Sequence, residues 1–576
     1  MADADAPRSD AVHADPMRAE TLAREAVALR QGGRVDDAIA RYRESLALRP
    51  DHPPTLFRLA NALNGSGDRA GAEAVYRRAL AIDPGYAAAS VNLAALLDAD
   101  GRLDTAIGIL QQAARLAPKL GEVPNNLAAY LTRAGRHLDA EAALRQLVAM
   151  RPADAAARAA LAASLQSQGR LEDAVAVFFE AIALGPDYPE ALVNLVAALT
   201  DLGRFDEAES ACGRAMALDP ARALAVEYLG RIYRERGDID RAIAIWRGLL
   251  AREPDHAGAR SSLALALLAK GAFEEGWRDY EWRFRTDTLA AALRDYPQPL
   301  WDGRKLAGRT LLLDAEQGIG DAIQFLRYAA PLAAAGARIV AEAPRKLHRL
   351  LRTVPGIVAL IDPADPRPAF DLHAPLLSLP HLCATTLDTI PAAVPYLAAE
   401  PDLVARWRDR LAPLPRPWIG LCWQGNPLHR GDRWRSLPLA ALAPLAANTG
   451  GTFIGLQKGP GSEQVAGSSF GARLVDWSGD IDTGPDALVD TAAMMTSLDL
   501  VVSVDTAIAH LAGALARPTW LLLGHVPDFR WLLDRADSPW YPTMRLYRQT
   551  PRGDWAKVVA EIVAAMGDAL ERGNAG

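Results

Sequence analysis

The sequence predicts an α-helical repeat array followed by an α/β region of two lobes. A 34-residue period runs through the first half of the 576 residues, which is typical of a solenoid built from helical units. From about residue 305, strand-like runs alternate with helical stretches, which favours parallel sheets covered by helices. A proline-rich stretch ending near Pro417 divides these strands into two series.

The repeat is marked by a proline, by an alanine twelve residues earlier, and in most units by a large apolar residue four positions after the alanine. The proline follows a helix without costing it an interior hydrogen bond, and the alanine lets two helices approach closely. This pattern resembles the tetratricopeptide repeat (TPR) family, in which two antiparallel helices form a unit. Gly276 and Tyr280 occupy the alanine and large-residue positions of an eighth, degenerate unit. The marker prolines are Pro50, Pro84, Pro118, Pro152, Pro186, Pro220 and Pro254, and the turn glycines are Gly33, Gly67, Gly101, Gly135, Gly169, Gly203 and Gly237.

Three asparagines share one repeat position in the first helix of their units. They are Asn92, Asn126 and Asn194, and Ala160 and Tyr228 interrupt the series. A side-chain amide can both donate to and accept from a peptide backbone. The series resembles the asparagine ladder of the nucleocytoplasmic O-GlcNAc transferases, which implies a polypeptide acceptor in the groove. The alternative is a polar filler or a hydrogen bond between helices of the array.

The second half contains the strand-like runs RTLLLDAE, ARIVAEA and IVALID, and then WIGLCWQG, GTFIGLQKG, ARLVDWS, LDLVVSV and TWLLLG. Two α/β lobes joined by a linker create a cleft, where ligands usually bind. The predicted organisation is therefore a flexible tail at 1–17, a solenoid at 18–288, an acceptor-side lobe at 289–400 and a donor-side lobe at 401–576.

Five segments in this half carry a more specific likeness: GWRDYEWRFR, EQGIGDAIQFLRY, WQGN, SVDTAIAHLAGAL and DSPWYPTMRLYRQ. Together they resemble TPR-fused proteins of the heptosyltransferase-like group (glycosyltransferase family 9-like), over roughly residues 270–560. The resemblance implies the GT-B fold of two Rossmann-like lobes and transfer of a sugar from a nucleotide sugar. Some proteins of this architecture resemble the glycosyltransferases that modify bacterial flagellins, so flagellin is a plausible acceptor.

The first candidate site is the segment after strand LDLVVSV, where a helix should begin with Asp505, Thr506 and Ala507. A helix N-terminus offers unpaired N–H groups to a phosphate. The resembled enzymes use Asp-Thr-Gly-x-x-His at the nucleotide, which implies a donor-side role for these residues and for His510. Here Ala507 replaces the glycine. The alternative is that Asp505 or Thr506 caps the helix and His510 is a packed histidine.

The second candidate site follows strand RTLLLDAE. Gly318 and Gly320 permit close approach of the backbone to a ligand, and Asp321 lies at the start of the next helix. In the resembled enzymes an aspartate here is proposed to deprotonate the acceptor hydroxyl, which implies that role for Asp321. An ordinary N-cap is equally compatible with its position.

The third candidate site is the loop after strand WIGLCWQG. An arginine in this loop can neutralise the departing diphosphate in place of a metal ion, and Arg435 is best placed for it. The remaining donor-side candidates are Gln424, Asn426, Gln457 and Lys458. The pair Asp480 and Asp482 matches the DxD pattern of metal-dependent transferases, but such pairs are common by chance.

The resemblance, together with these candidate sites, implies an inverting, metal-independent glycosyltransferase that acts on Ser or Thr hydroxyls of a polypeptide. Two alternatives are transfer to a lipid or polysaccharide acceptor, and a non-catalytic TPR adaptor with a decayed GT-B domain. A net charge of −7 gives no sign of a nucleic-acid partner. With three scattered cysteines and no long apolar run, a cytoplasmic protein without a metal cofactor is expected. The sugar, the nucleotide, the acceptor and the oligomeric state stay open.

Overall fold

The structure is a computed structural model, which describes residues 16–117, 121–306, 308–427, 429 and 431–574. The predicted tail at 1–17 lies outside these residues except for Pro16 and Met17, which begin the first helix. The chain divides into two compact units, Met1–Ala221 and Arg222–Gly576. The sequence predicts a solenoid that ends at residue 288, whereas packing groups the last helical pairs with the sheets.

The first unit consists of antiparallel helical pairs, each with a short turn inside it. Apolar positions of successive helices pack on each other, and each pair contacts its neighbours. The helices are α1 Pro16–Gln31, α2 Val35–Leu48, α3 Pro53–Gly65, α4 Arg69–Ile82, α5 Ala87–Ala99, α6 Leu103–Leu116, α7 Glu122–Arg133, α8 His137–Met150, α9 Ala155–Ser167, α10 Leu171–Leu184, α11 Pro189–Leu202 and α12 Phe205–Leu218.

The turn inside each pair requires a left-handed residue. Eight glycines spaced by 34 residues, from Gly33 to Gly271, have φ between 72° and 91°. Only glycine adopts this conformation without a steric cost, which explains its recurrence. The marker alanines, among them Ala38 and Ala72, are fully buried between the paired helices. Pro118 lies outside the described residues.

The second unit begins with two further pairs: α13 Ala223–Arg236 with α14 Ile239–Arg252, and α15 Ala257–Ala269 with α16 Phe273–Tyr280. A Cβ at Gly276 would lie 2.8 Å from the Leu268 side chain, so the glycine allows α16 to lie close to α15. A short 3₁₀ helix, Glu281–Arg285, leads from this pair to the sheets.

Two parallel sheets follow, as the alternation of strands and helices predicts. The strand order is β3-β2-β1-β4 in the first sheet and β10-β9-β8-β5-β6-β7 in the second. Two strands were not predicted: β4, which is only four residues long and contains His and Pro, and β10, which lies within the segment DSPWYPTMRLYRQ. The strands are β1 Thr310–Asp314, β2 Arg338–Glu342, β3 Ile357–Ile361, β4 Leu372–Pro375, β5 Trp418–Cys422, β6 Thr452–Gly455, β7 Leu474–Val475, β8 Leu500–Val504, β9 Thr519–Leu523 and β10 Met544–Arg548.

Mostly short helices connect the strands, as parallel connections require. The arrangement is an α/β region with two sheets. The helices are α17 Ile319–Phe325, α18 Ala329–Ala334, α19 His348–Leu351, α20 Leu379–Leu382, α21 Pro401–Leu411, α22 Asp432–Arg435, α23 Ala443–Asn448, α24 Val489–Met495, α25 Ala507–Ala514 and α26 Trp555–Asn574.

One hydrophobic core joins the last helical pair to both sheets. It contains Trp277 of α16, Phe325 of α17, and Trp531, Trp540 and Tyr541 of the second sheet region. All five aromatic side chains are buried, so they pack inside the protein. Because α16 shares this core, the end of the repeat array is built into the α/β region.

A buried ion pair reinforces the same junction. The Arg283 guanidinium donates to both carboxylate oxygens of Glu316 at 3.0–3.2 Å and to the Ser378 hydroxyl at 2.8 Å. Glu316 lies just after β1, and its carboxylate also accepts the backbone N–H of Leu377. Burial raises the pKa of Glu316, and Arg283 partly offsets this effect. The pair therefore holds the loop that leads to Gly318.

Among the described residues, no helix is both long enough and apolar enough to cross a bilayer.

Candidate functional site

Two of the three predicted motifs come into direct contact. The loop after β1 leads into α17, and the loop after β8 leads into α25, and these two helices pack on each other. A Cβ at Gly320 would lie 2.9 Å from His510 Cδ2 and 3.7 Å from Ala507 Cα. Helix ends that follow the carboxyl edges of parallel strands are the usual place for ligands in α/β proteins. The contact between α17 and α25 therefore defines the candidate site.

Asp321 is the third residue of α17, and Gly318 occupies the N-cap position. One Asp321 carboxylate oxygen accepts the backbone N–H of Gly318 at 2.8 Å, and the other accepts from the Arg530 guanidinium. The Asp321 side chain is one-fifth exposed. Both oxygens are thus oriented, and the carboxylate still reaches solvent.

Arg530 was not identified from the sequence as a site residue. It lies in the 3₁₀ turn Phe529–Trp531, in the loop after β9. Burial lowers the pKa of Arg530, but Asp528 and Asp321 more than offset this effect and leave it above its ordinary value. The guanidinium is therefore charged. The sequence signal that could have identified this position is a charged pair, Asp528 and Arg530, in the loop after a parallel strand.

Asp505 lies between β8 and α25 and is half-buried. Burial raises its pKa to about 6, the nearby carboxylate of Asp528 adds to the rise, and Arg435 and Arg530 oppose it. The nearby Trp531 indole N–H also lowers the pKa of Asp505. The geometry between the two groups falls short of a hydrogen bond, because the Trp531 indole N–H has no hydrogen-bond partner among the described residues. This side of the site therefore holds a carboxyl group whose pKa is raised above its usual value.

Thr506 is the N-cap residue of α25, but its side chain makes no capping hydrogen bond. Its hydroxyl instead lies 3.4 Å from the Ser503 hydroxyl and 3.6 Å from the Cys422 sulfur. The first-turn N–H groups of α25 therefore receive no acceptor from this side chain. Such a helix end is suited to an anion.

His510 is a packed histidine in this structure. It is 6% exposed, its ring stacks on Trp531 with centroids 5.3 Å apart, and Nδ1 lies 3.0 Å from the Tyr541 hydroxyl. Burial lowers its pKa well below the usual value, and Arg530, Arg327 and Arg435 lower it further. The imidazole is therefore neutral, and it serves the contact between α17 and α25.

Arg435 ends the short helix α22 and donates to the Asp432 carboxylate at 3.1 Å. A Cβ at Gly425 would lie 2.3 Å from Asp432 Oδ1 and 2.7 Å from an Arg435 guanidinium nitrogen. A side chain at position 425 would therefore require this pair to shift. The charge of Arg435 acts on the pKa of both Asp505 and His510, so it lies close to the candidate site.

Two other donor-side candidates, Gln457 and Asn426, differ in how their side chains are placed. The Gln457 side chain is fully engaged: Oε1 accepts the N–H groups of Trp423 and Gln424, and Nε2 donates to the carbonyls of Gln424 and Pro460. It holds the loop together. Asn426 is exposed, and its carbonyl accepts the N–H of His429.

Lys458 and the DxD pattern belong to a structural cluster. The Lys458 ammonium donates to the carbonyls of Ile481 and Asp482 at 2.6 Å. The Asp482 carboxylate accepts from the start of α24, including the N–H of Asp490, and Asp480 pairs with Arg410. Among the described residues, no three His, Cys, Asp or Glu side chains form a group that could hold a metal ion.

Two of the three asparagines in the series form hydrogen bonds inside the repeat array. Asn92 donates to the side-chain oxygen of Asn61 at 2.7 Å, and Asn126 donates to the Glu122 carbonyl of its own helix at 2.8 Å. Asn194 is exposed on α11. The structure therefore combines hydrogen bonds inside the array with an amide presented to solvent.

The repeats match known families directly. Tetratricopeptide repeat models match residues 63–129 and 165–232, and a second pair of matches covers residues 126–189 and 228–277. The helical pairs are tetratricopeptide repeats. TPR arrays suggest a peptide or protein partner.

A curated relative extends the likeness. Protein FlbA of Caulobacter vibrioides (strain ATCC 19089 / CIP 103742 / CB 15) is 27% identical over 356 residues, which cover 58% of this chain and 59% of that protein. The alignment thus spans less than two thirds of the relative's length.

Solved TPR structures are similar to part of this chain. The crystal structure of YrrB, described as a TPR protein with an unusual peptide-binding site, is 19% identical, with a TM-score of 0.30 over 32% of this chain and 95% of that one. A tetratricopeptide repeat protein from Parabacteroides merdae ATCC 43184 is 14% identical, with a TM-score of 0.33 over 44% of this chain and 99% of that one.

Proposed function

We propose that the protein is a glycosyltransferase that moves a sugar from a nucleotide sugar to a polypeptide held by the TPR array. The observation that carries the proposal is the contact between the two motifs, Gly318–Asp321 and Asp505–His510, at the ends of strands in different sheets. A two-substrate transfer needs a base and an anion site next to each other. These two motifs supply both.

The donor phosphate would lie at the N-terminus of α25, where the Thr506 side chain leaves the first-turn N–H groups uncapped. Arg435 lies beside this end and would neutralise the charge that develops on the leaving phosphate. This arrangement supports transfer without a metal ion. The neutral, packed His510 supports the site by holding α17 against α25.

Asp321 would act as the base. It takes the proton of a Ser or Thr hydroxyl while the hydroxyl oxygen attacks the anomeric carbon. The bond between that carbon and the phosphate oxygen breaks, and its electron pair leaves with the nucleotide. Attack from the face opposite the phosphate inverts the anomeric centre, and the proton then passes from Asp321 to water.

The polypeptide acceptor follows from the TPR array, and flagellin is the acceptor that the likeness to TPR-fused glycosyltransferases favours. The exposed amide of Asn194 and the partly used amides of Asn92 and Asn126 would pair with the acceptor backbone.

The test is ligand-induced stabilisation with a panel of nucleotides and nucleotide sugars, with and without EDTA. A ligand at 100 times its dissociation constant adds about 2.7 kcal/mol to the free energy of unfolding. We expect one nucleotide class to raise the Tm, independently of EDTA, and Thr506→Val or Arg435→Gln to weaken the effect. Asp480→Asn is the matched control, because Asp480 pairs with Arg410.

Transfer is then measured with the acceptor. Asp321→Asn should retain donor binding and lose transfer. If no nucleotide stabilises the protein, it is a TPR adaptor without transferase activity. In that second candidate, the Asp321 carboxylate serves only as the acceptor of the Gly318 N–H and as the partner of Arg530.

A further inference from the structure

Arg530 connects three side chains from two parts of the molecule. Its guanidinium donates to the carboxylates of Asp321 and Asp528, the latter at 2.8 Å, and to the Gln324 side-chain oxygen at 2.7 Å. The Arg530 side chain is only 9% exposed. Asp321 and Gln324 lie one turn apart on α17, so a single guanidinium binds two side chains on one face of that helix.

The guanidinium is also fixed by its surroundings. It lies over the ring of Phe529 at 4.5 Å and that of Phe325 at 5.4 Å. A planar group with donors in a fixed fork holds its partners in one geometry better than a flexible ammonium does. The position of the Asp321 carboxylate therefore depends on the position of Arg530.

The last TPR pair holds the segment that carries Arg530. The Phe529 ring lies 5.5 Å from Trp277 and 5.9 Å from Tyr280, both on α16. The Leu533 N–H donates to the carbonyl of Ala269, at the end of α15, at 3.1 Å. The turn with Arg530 is thus packed on helices of the repeat array.

We propose that Arg530 is the positioning residue for the Asp321 carboxylate, and that the last TPR pair keeps it in place through Phe529 and Trp277. The proposal rests on the function proposed above, in which Asp321 is the base. Each oxygen of an ionised carboxylate has two lone-pair directions. The Gly318 N–H and Arg530 use one direction on each oxygen, and a second direction accepts the hydroxyl proton.

The experiment is a double-mutant cycle on transfer, with Arg530→Gln, Asp321→Asn and the combined variant. We expect Arg530→Gln to lower kcat about 100-fold, the size of effect that misplacing a reacting group by ~1 Å produces. KM for the donor should stay unchanged. In the Asp321→Asn background, Arg530→Gln should cause no further loss. Arg530→Lys should recover part of the rate, because it keeps the charge and a donor nitrogen but lacks the planar fork of the guanidinium.

Two further variants separate positioning from general damage. Phe529→Leu should lower kcat by a smaller factor, because it loosens the contact between Phe529 and Trp277 that holds the turn with Arg530. Arg535→Gln, which breaks an exposed pair with Asp537 in the same region, should leave kcat unchanged.

The proposal is overturned if Arg530→Gln lowers the residual rate of Asp321→Asn as much as that of the parent, since Arg530 would then act independently of Asp321. A higher donor KM with an unchanged kcat would overturn it too, and would assign Arg530 to donor binding. If the parent protein transfers no sugar at all, the proposed function fails and the catalytic meaning of Arg530 fails with it. The interaction between Arg530 and Asp321 is then tested with the Tm values of the parent, the two single variants and the combined variant. Shifts that are not additive show that the two residues interact.

Discussion

Gly320 of α17 and His510 of α25 are in contact, and the contact leaves no space for a Cβ on Gly320, which would lie 2.9 Å from His510 Cδ2. The imidazole is also held by Trp531 and Tyr541. The close approach of α17, which follows a strand of the first sheet, and α25, which follows a strand of the second, thus depends on one glycine. This contact defines the candidate site.

The first prediction concerns this contact. Gly320→Ala should force α17 and α25 apart and lower the free energy of unfolding by about 1–3 kcal/mol, the usual cost of overpacking. Urea unfolding measures it. Gly479→Ala is the control, because no atom lies within 4 Å of its added Cβ. Equal stability of the two variants would mean that the helices are not packed as described.

The second prediction concerns the titration of Asp505. Its pKa in the folded protein is about 6, above the ordinary value of 3.8, so the folded state binds its proton more tightly than the unfolded state. Relative to Asp505→Asn, the parent should therefore lose stability as the pH rises from about 4 to above 6, by up to about 3 kcal/mol.

Melting temperatures of the two proteins between pH 4 and pH 8 test this relation. The difference should grow with pH and then level off. A constant difference across that range would show that Asp505 keeps its ordinary pKa.

The third prediction concerns the buried pair of Arg283 and Glu316, whose side chains are 2% and 0% exposed. Arg283→Met should cost about 3–5 kcal/mol, because it leaves a buried carboxylate without its partner. Adding Glu316→Gln should recover part of this loss. Arg304→Met, which breaks an exposed pair with Asp302, should change stability by less than about 0.5 kcal/mol.

Denaturant unfolding of the four proteins distinguishes these effects. A loss for Arg283→Met no larger than that for Arg304→Met would show that water reaches the pair.

The fourth prediction concerns the repeat turns. Gly101 has a φ of 75° with no atom near an added Cβ, so Gly101→Ala should cost about 1–2 kcal/mol from backbone strain alone. Gly108 lies inside α6 and also has open space around it. Gly108→Ala should therefore add about 1 kcal/mol of stability. Thermal unfolding that shows the same sign for both would contradict the assigned turn conformation.

The repeat array was predictable because its signals are local. The turn glycines, marker alanines and prolines each act within one helical pair, and the same requirement returns every 34 residues. The alternation of strands and helices in the second half was equally visible, since buried parallel strands form apolar runs. Strand β4 was not predicted because its four residues include His373 and Pro375, which weaken the apolar pattern of a buried strand.

The site was predictable in its parts. The sequence singled out Asp321 and the Asp505–His510 segment separately, from their positions after strands. It also expected His510 at the ligand and Gln457 and Lys458 beside the donor, whereas these side chains are used by packing and by loop hydrogen bonds. Whether a polar side chain faces a ligand or its own loop depends on neighbours that are distant in sequence.

The turn glycines, the helical pairs and the alternation of strands with helices follow from interactions between residues a few positions apart, so the chain's own chemistry determined them. The pairing of Asp321 with Arg530, 209 residues away, and the burial of His510 were decided only by how the two sheets and the last TPR pair pack together. A guanidinium selects its carboxylate by distance in space, and no local pattern records that distance.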